Sequence, residues 1–235
     1  MSTGVTRGPR LLIAALVGLT LGAQSGEALL ERVDRLRHPW PSFSVEVTLK
    51  DRKGEQRWRV NARENGDARV EGLSKKEVGR TVLMLGDEMW LLLPNARRPI
   101  KVSPAQRLMG PAAGGDLARS RFALDYQIRD VKDESLEGRA CRCLDLQARK
   151  PSHSYRTARL WIDKATGIPI QAEYFLPSGK QAKTMHFDPP VSLGALSVLP
   201  GLRVVEPGGA EVSLRFAQWK PGSQDAGLYL LPKVE

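Results

Sequence analysis

The chain has 235 residues, 41% of them hydrophobic, and a formal net charge of +10. That length exceeds a stapled mini-protein and suits one good core, while the hydrophobic content is too low for a polytopic membrane protein. Twenty-two glycines and 16 prolines point to many turns.

Residues 1–28 read as a signal peptide. Arg7 and Arg10 form a positive start, residues 11–21 an apolar run, and small-x-small cleavage sites end at Ser25 and at Ala28. The run is shorter than the roughly 20 residues that span a bilayer, which leaves an uncleaved anchor as the alternative. Residues 29–235 are then a single exported domain. Cleavage after Ser25 removes two arginines and no acid, so the formal charge becomes +8. A basic exported protein meets anionic lipid surfaces, lipopolysaccharide or acidic proteins and no nucleic acid; equally, the charges can solvate strand faces.

Residues 27–37 predict a helix. Leu29, Leu30, Val33 and Leu36 share one face, and Pro39 and Pro41 stop it. Residues 43–50 alternate as a strand with Phe43, Val45, Val47 and Leu49 on one side. Residues 56–63 follow with Trp58, Val60 and Ala62, then a hairpin signal at Asn65, Gly66 and Asp67, and a third strand at 68–73. Residues 82–85 and 89–93 are apolar at every position around the turn at Gly86, so both faces of that hairpin need cover. It reads as a core hairpin or as a ligand wall.

Ser103 and Pro104 are a good cap and first-turn pair for a short helix over 104–109. Gly110 and Pro111 break it, and Asp116 can cap a second helix through Phe122. These two pieces suit a movable flap or a surface loop. Strands follow at 126–131, 139–148, 158–163, 168–175, 180–187 and 212–219, while 189–209 reads as an irregular excursion or a short helix. About ten strands at this spacing predict an antiparallel barrel or sandwich.

The sequence offers no phosphate-cradling loop, no His-Glu-x-x-His and no Gly-x-Ser-x-Gly. His38, His153 and His186 lie in separate segments, and with two cysteines they do not make a zinc site. Cys141 and Cys143 share one strand face about 6.5–7 Å apart, at the long edge of disulfide geometry. They read as two strand thiols, or as a redox pair.

The apolar hairpin at 79–94, the basic stretch 97–103, the segment 106–110, Asp125-Tyr126, 143–146, 160–163, 166–170 and 178–180 occur in one order that resembles the outer-membrane lipoprotein-sorting proteins, relatives of the periplasmic Lol-type lipoprotein carriers. The resemblance covers about residues 29–187. It implies a mainly β (α+β) fold: a strongly curved, unclosed antiparallel β-barrel with an N-terminal helix and short lid helices on its concave side. It implies a periplasmic, non-enzymatic carrier that holds lipoprotein acyl chains or other lipids in a hydrophobic cavity and helps sort them to the outer membrane. Trp58, Val60, Leu83, Trp90, Leu92, Leu108, Met109 and Leu117 are then the expected lining. No cofactor or metal is implied. An inner-membrane exporter or permease is an expected partner, with peripheral contact to anionic membrane. A periplasmic lipid- or lipoprotein-sensing regulator, or a non-enzymatic accessory protein of an exporter, are the alternative readings.

Overall fold

The computed structural model describes residues 25–103, 121–222 and 225–232. Helix α1 (Gly26–Arg37) comes first, and the Ser25 side chain caps it by accepting from the Ala28 N–H at 3.2 Å. Strands β1 (Ser42–Asp51), β2 (Gly54–Arg63), β3 (Ala68–Gly72), β4 (Thr81–Leu85), β5 (Glu88–Leu92) and β6 (Ile100–Lys101) run as a meander. The one-turn helix α2 (Phe122–Asp125) leads directly into a second meander of β7 (Tyr126–Leu136), β8 (Arg139–Ala148), β9 (Thr157–Asp163), β10 (Pro169–Phe175) and β11 (Gln181–Phe187). A small hairpin, β12 (Val191–Leu193) and β13 (Leu196–Val198), precedes β14 (Gly201–Val205) and β15 (Glu211–Pro221). A 3-10 turn, Ala226–Tyr229, follows.

Among the described residues thirteen strands form one sheet in the order β6-β5-β4-β3-β2-β1-β15-β14-β11-β10-β9-β8-β7, and each described pair is antiparallel. The two meanders meet in the middle, where β1 pairs with β15. Among the described strands the edges are β6, only two residues long, and β7, which is studded with charge. Short and charged edges resist adding a further strand.

The sheet is strongly curved. β5 and β8 stand ten strand steps apart, about 48 Å along a flat sheet. Yet Lys150, just past β8, places its Nζ 2.9 Å from Asp87 in the β4–β5 turn. Bulges help it bend. In β15 an extra residue opposes Val45, and Gln218 takes φ 53° there. Gly86 supplies the positive φ, also 53°, that a two-residue hairpin needs at its first central position, and its N–H donates to Asp67 Oδ1 at 2.9 Å.

Helix α1 fills the concave side. Leu29, Leu30, Val33 and Leu36 belong to one buried cluster with Val60, Val82, Leu144, Leu160 and Met185, residues drawn from both meanders. Arg32 donates to the Thr166 carbonyl at 2.8 Å, and Leu199 N–H donates to the Leu36 carbonyl at 2.9 Å. Asp34, on the same helix, accepts from the backbone N–H groups of Phe122 and Ala123 at 2.7 and 2.8 Å. Those are orphan donors of α2, so a side chain 88 positions upstream caps it.

Two expectations need correcting. Residues 189–209 hold no helix but the β12–β13 hairpin and β14, because Gly201 lets β14 lie close enough to β15 that an added Cβ would meet the Leu214 carbonyl at 2.6 Å. Phe122 does not close a helix; it opens α2, which its Asp34 cap holds against α1. The expected helix over 104–109, and residues 116–120 of the one expected to run from Asp116 through Phe122, lie outside the described residues.

Candidate functional site

The concave wall is built by strand alternation. Val45, Val60, Val70, Val82 and Leu91 stand side by side across β1 to β5, and Phe43, Ala62, Ala68, Met84 and Met89 form the next row. Val47 pairs with Trp58 in a third row. Apart from half-buried Leu91, these side chains are buried, and they belong to the main cluster that packs on α1. Valine and methionine rows give a smooth, adaptable apolar surface.

The register divides the expected lining. Trp58 and Val60 lie on the concave face. Leu83 and Trp90 pair with each other and fall in the row of Arg69 and Lys101 on the convex face. Leu92 falls beside Thr81 and Glu71, on that same outer face. Leu108, Met109 and Leu117 lie outside the described residues. Leu83 is nonetheless fully buried. The 3-10 turn Ala226–Tyr229 packs on this side: Arg69 donates to the Leu228 carbonyl at 3.2 Å, and the Arg63 guanidinium sits 4.0 Å over the Tyr229 ring. Trp90 is half-buried, with the Lys101 ammonium 5.3 Å from its ring centre.

The second meander carries an aromatic group on its concave face. Phe122 stacks on Tyr174 at 6.2 Å, Tyr174 meets Tyr155 at 5.1 Å, and Phe122 meets Tyr126 at 6.2 Å. Into this group points Lys183 of β11, only 5% exposed, its ammonium 4.0 Å over the Tyr155 ring and 5.0 Å from that of Tyr174. Sequence reading missed Tyr155, Tyr174 and Lys183. The available signal was phase: Lys183 alternates with Met185 and Phe187, a lysine in register with two core positions.

On the convex face Cys141, Cys143 and Trp161 make a small separate cluster. Both cysteines are free thiols, and burial raises both pKa values, that of Cys143 to about 11. Arg159 covers them. Its guanidinium lies 4.6 Å over the Trp161 ring and pairs with Glu134 and Asp145, while Trp161 Nε1 donates to Glu134 at 2.9 Å. Thiols held protonated in this way are poor nucleophiles, so the arrangement fits packing and not redox chemistry.

The histidines stay apart. His38 meets Phe43 edge-on, and His186 lies in the convex row with Arg203. His153 stacks on Tyr126 with Nε2 3.9 Å from Asp125, too long for a hydrogen bond. The neighbouring Ser154 Oγ is buried and finds no partner, so no hydrogen-bonded serine–base pair forms there. Among the described residues no group of three or more His, Cys, Asp or Glu is placed to hold a metal ion. None of their helices is long and apolar enough to cross a membrane.

Residues 73–192 match the model of a family described as uncharacterized proteins. Among solved structures, a LolA-superfamily protein of Nitrosomonas europaea is similar at 25% identity and a TM-score of 0.78, over 88% of this chain and 98% of that one. A structure described as an outer-membrane lipoprotein-sorting protein domain, from Vibrio parahaemolyticus, shares the fold at 19% identity and a TM-score of 0.67, over 85% and 94%. A DUF1329-family protein of Desulfovibrio piger does so at 15% and 0.67, over 86% and 95%. No curated protein matches the chain.

Proposed function

We propose, because this chain belongs to the family matched over residues 73–192 and folds as LolA-superfamily proteins do, that it is a periplasmic, non-enzymatic carrier that binds acyl chains between its curved sheet and α1 and helps move lipids or lipoproteins to the outer membrane. The observation that carries this reading is the concave wall. Its valine and methionine rows are continuous, α1 alone among the described helices longer than one turn covers them, and the sheet is left open between β6 and β7. Trp58 and Val60, with Val70, Val82 and Met84 beside them, are the wall an acyl chain would follow.

The energetics permit it. Burying Leu29, Leu30, Val33 and Leu36 is worth about 1.5–3 kcal/mol each, so about 6–12 kcal/mol for the apolar face of α1. An acyl chain of about 14 methylenes recovers about 11 kcal/mol at 0.8 kcal/mol each. One or two chains can therefore replace the helix face against the sheet. An exporter or permease would deliver such cargo, and the net positive charge favours contact with anionic membrane. The leader read at residues 1–28 would take the chain to the periplasm.

Native mass spectrometry of protein purified from its own periplasm tests the proposal. Co-purifying lipid or lipoprotein is the expected result. Protein that arrives empty, and binds neither a polyene fatty acid nor its methyl ester on addition, overturns it.

A further inference from the structure

We infer that the loops 73–80 and 93–99 together form a docking face for an anionic phospholipid bilayer, which brings the β6 edge of the sheet to the membrane surface. This rests on the carrier reading and deepens it, by naming the surface through which lipid would be handed on.

The two loops make one surface. They join β3 to β4 and β5 to β6 at the same end of the first meander. They also touch: a Cβ added at Gly79 would lie 2.6 Å from Pro94 Cγ. The first loop is tied down by its own backbone. The Arg57 N–H donates to Ser74 Oγ at 3.0 Å, the Glu77 N–H to the Ser74 carbonyl at 2.7 Å, and the Gly72 N–H to the Arg80 carbonyl at 3.0 Å.

Charge on this surface is one-sided. Lys75, Lys76, Arg80, Arg97 and Arg98 are all exposed, and the one acid of the two loops, Glu77, is buried and pairs with Arg80 at 2.9 Å. Five bases and one acid give +4 over 15 residues, half of the +8 carried from Gly26 onward. Lys75, Lys76, Arg97 and Arg98 pair with no acid among the described residues. In the sequence these bases fall in two segments with an apolar hairpin between them; folding sets them side by side.

An apolar tip stands among the charges. Val78, between Lys76 and Arg80 in the chain, is 61% exposed, and Pro94 beside Gly79 is exposed too. An acidic protein or a soluble polyanion would be met by the charge alone. A bare valine next to lysine and arginine suits a headgroup layer, where the apolar tip enters the interface and the long basic side chains reach phosphates. Arg97 and Arg98 lead into β6, an edge among the described strands, where Ile100 is 45% exposed. A bilayer held by these loops therefore lies next to the rim of the concave wall.

Co-sedimentation with phosphatidylglycerol and with phosphatidylcholine vesicles tests the docking face. Each basic side chain near an anionic surface raises affinity about fivefold. The wild-type protein should favour phosphatidylglycerol at least about a hundredfold at about 0.1 M salt, and lose most of that preference at about 1 M, where the screening length is about 3 Å. Lys75→Glu with Lys76→Glu, and Arg97→Glu with Arg98→Glu, should each weaken binding at least about twentyfold, and Val78→Asp at least about threefold. Arg156→Glu with Lys180→Glu makes the same change in net charge at exposed positions of the second meander, and should stay within about threefold of wild type.

Equal wild-type binding to the two vesicles overturns the docking face, whatever the variants do. An equal loss in the charge-matched control also overturns it, since net charge alone would then be the cause. Protein that ignores both vesicles but binds polyglutamate would assign the loops to an acidic polypeptide instead. Every variant should still bind cis-parinaric acid as the wild type does, because none alters the concave wall. Docking without any acyl binding would end the carrier reading and leave the docking face standing.

Discussion

Asp34 is the group whose titration should leave the clearest mark on stability. Its carboxyl is 3% exposed, and burial raises its pKa from 3.8 to about 6, against the opposing pull of the Ala123 and Phe122 N–H groups, Arg37 and Arg121. In the unfolded chain it returns to an ordinary value. Between these two values the folded state holds a proton that the unfolded state has lost, so stability falls as pH rises through that window. The contribution is fully present below about pH 4 and gone above about pH 6. Its total is about 3 kcal/mol, from a shift of about two pH units at 1.36 kcal/mol each; about 2 kcal/mol of it should be present at pH 4.5. Asp34→Asn removes the titration while keeping a similar shape. Urea unfolding followed by tryptophan emission, at pH 4.5 to 7.5, gives the wild-type minus variant stability at each pH and cancels other carboxylates. That difference should grow by about 2 kcal/mol on acidification. A flat difference, or one that grows with rising pH, would refute a buried, reluctantly ionised Asp34 beneath α2.

Other consequences follow from the register and the convex clusters. Trp58→Ala should cost about 3–5 kcal/mol as a core deletion, whereas Trp90→Ala, on the half-buried outer face, should cost about 1 kcal/mol; similar losses at the two sites in urea titrations would mean the assigned faces are wrong. Cys141 and Cys143 should resist a thiol reagent in the native protein and react at once in urea, since burial raises both pKa values; prompt native labelling would contradict the buried cluster. Asp87→Ala removes a pair whose side chains are 57% and 44% exposed, so it should cost less than about 1 kcal/mol. A drop of several kcal/mol in that variant would show that the Lys150 bridge, and not the core, holds the sheet curved.

The sequence by itself determined most of the local structure. The face of α1 was legible because leucine and valine recur at helical spacing, and β1 and β2 because apolar and polar residues alternate. The turn at Gly66 was legible because its φ of 90° suits glycine. The order of the apolar, basic and strand segments carried the Lol-type resemblance, and the unclosed curved sheet agrees with it. Tertiary structure decided the facing of β4 and β5. A strand that is apolar at every position has no period to read, so only its pairing with Arg69 and Val70 on β3 sends Val82 and Met84 inward and Leu83 outward. Pairing also joined β1 to β15 across nearly the whole chain, which no local pattern announces. The same holds for Asp34, whose role as a cap exists only once α2 is brought to α1. Lys183 lies between these cases: its phase on β11 was in the sequence, but the rings of Tyr155 and Tyr174 that its ammonium meets belong to other segments that only the folded sheet brings to it.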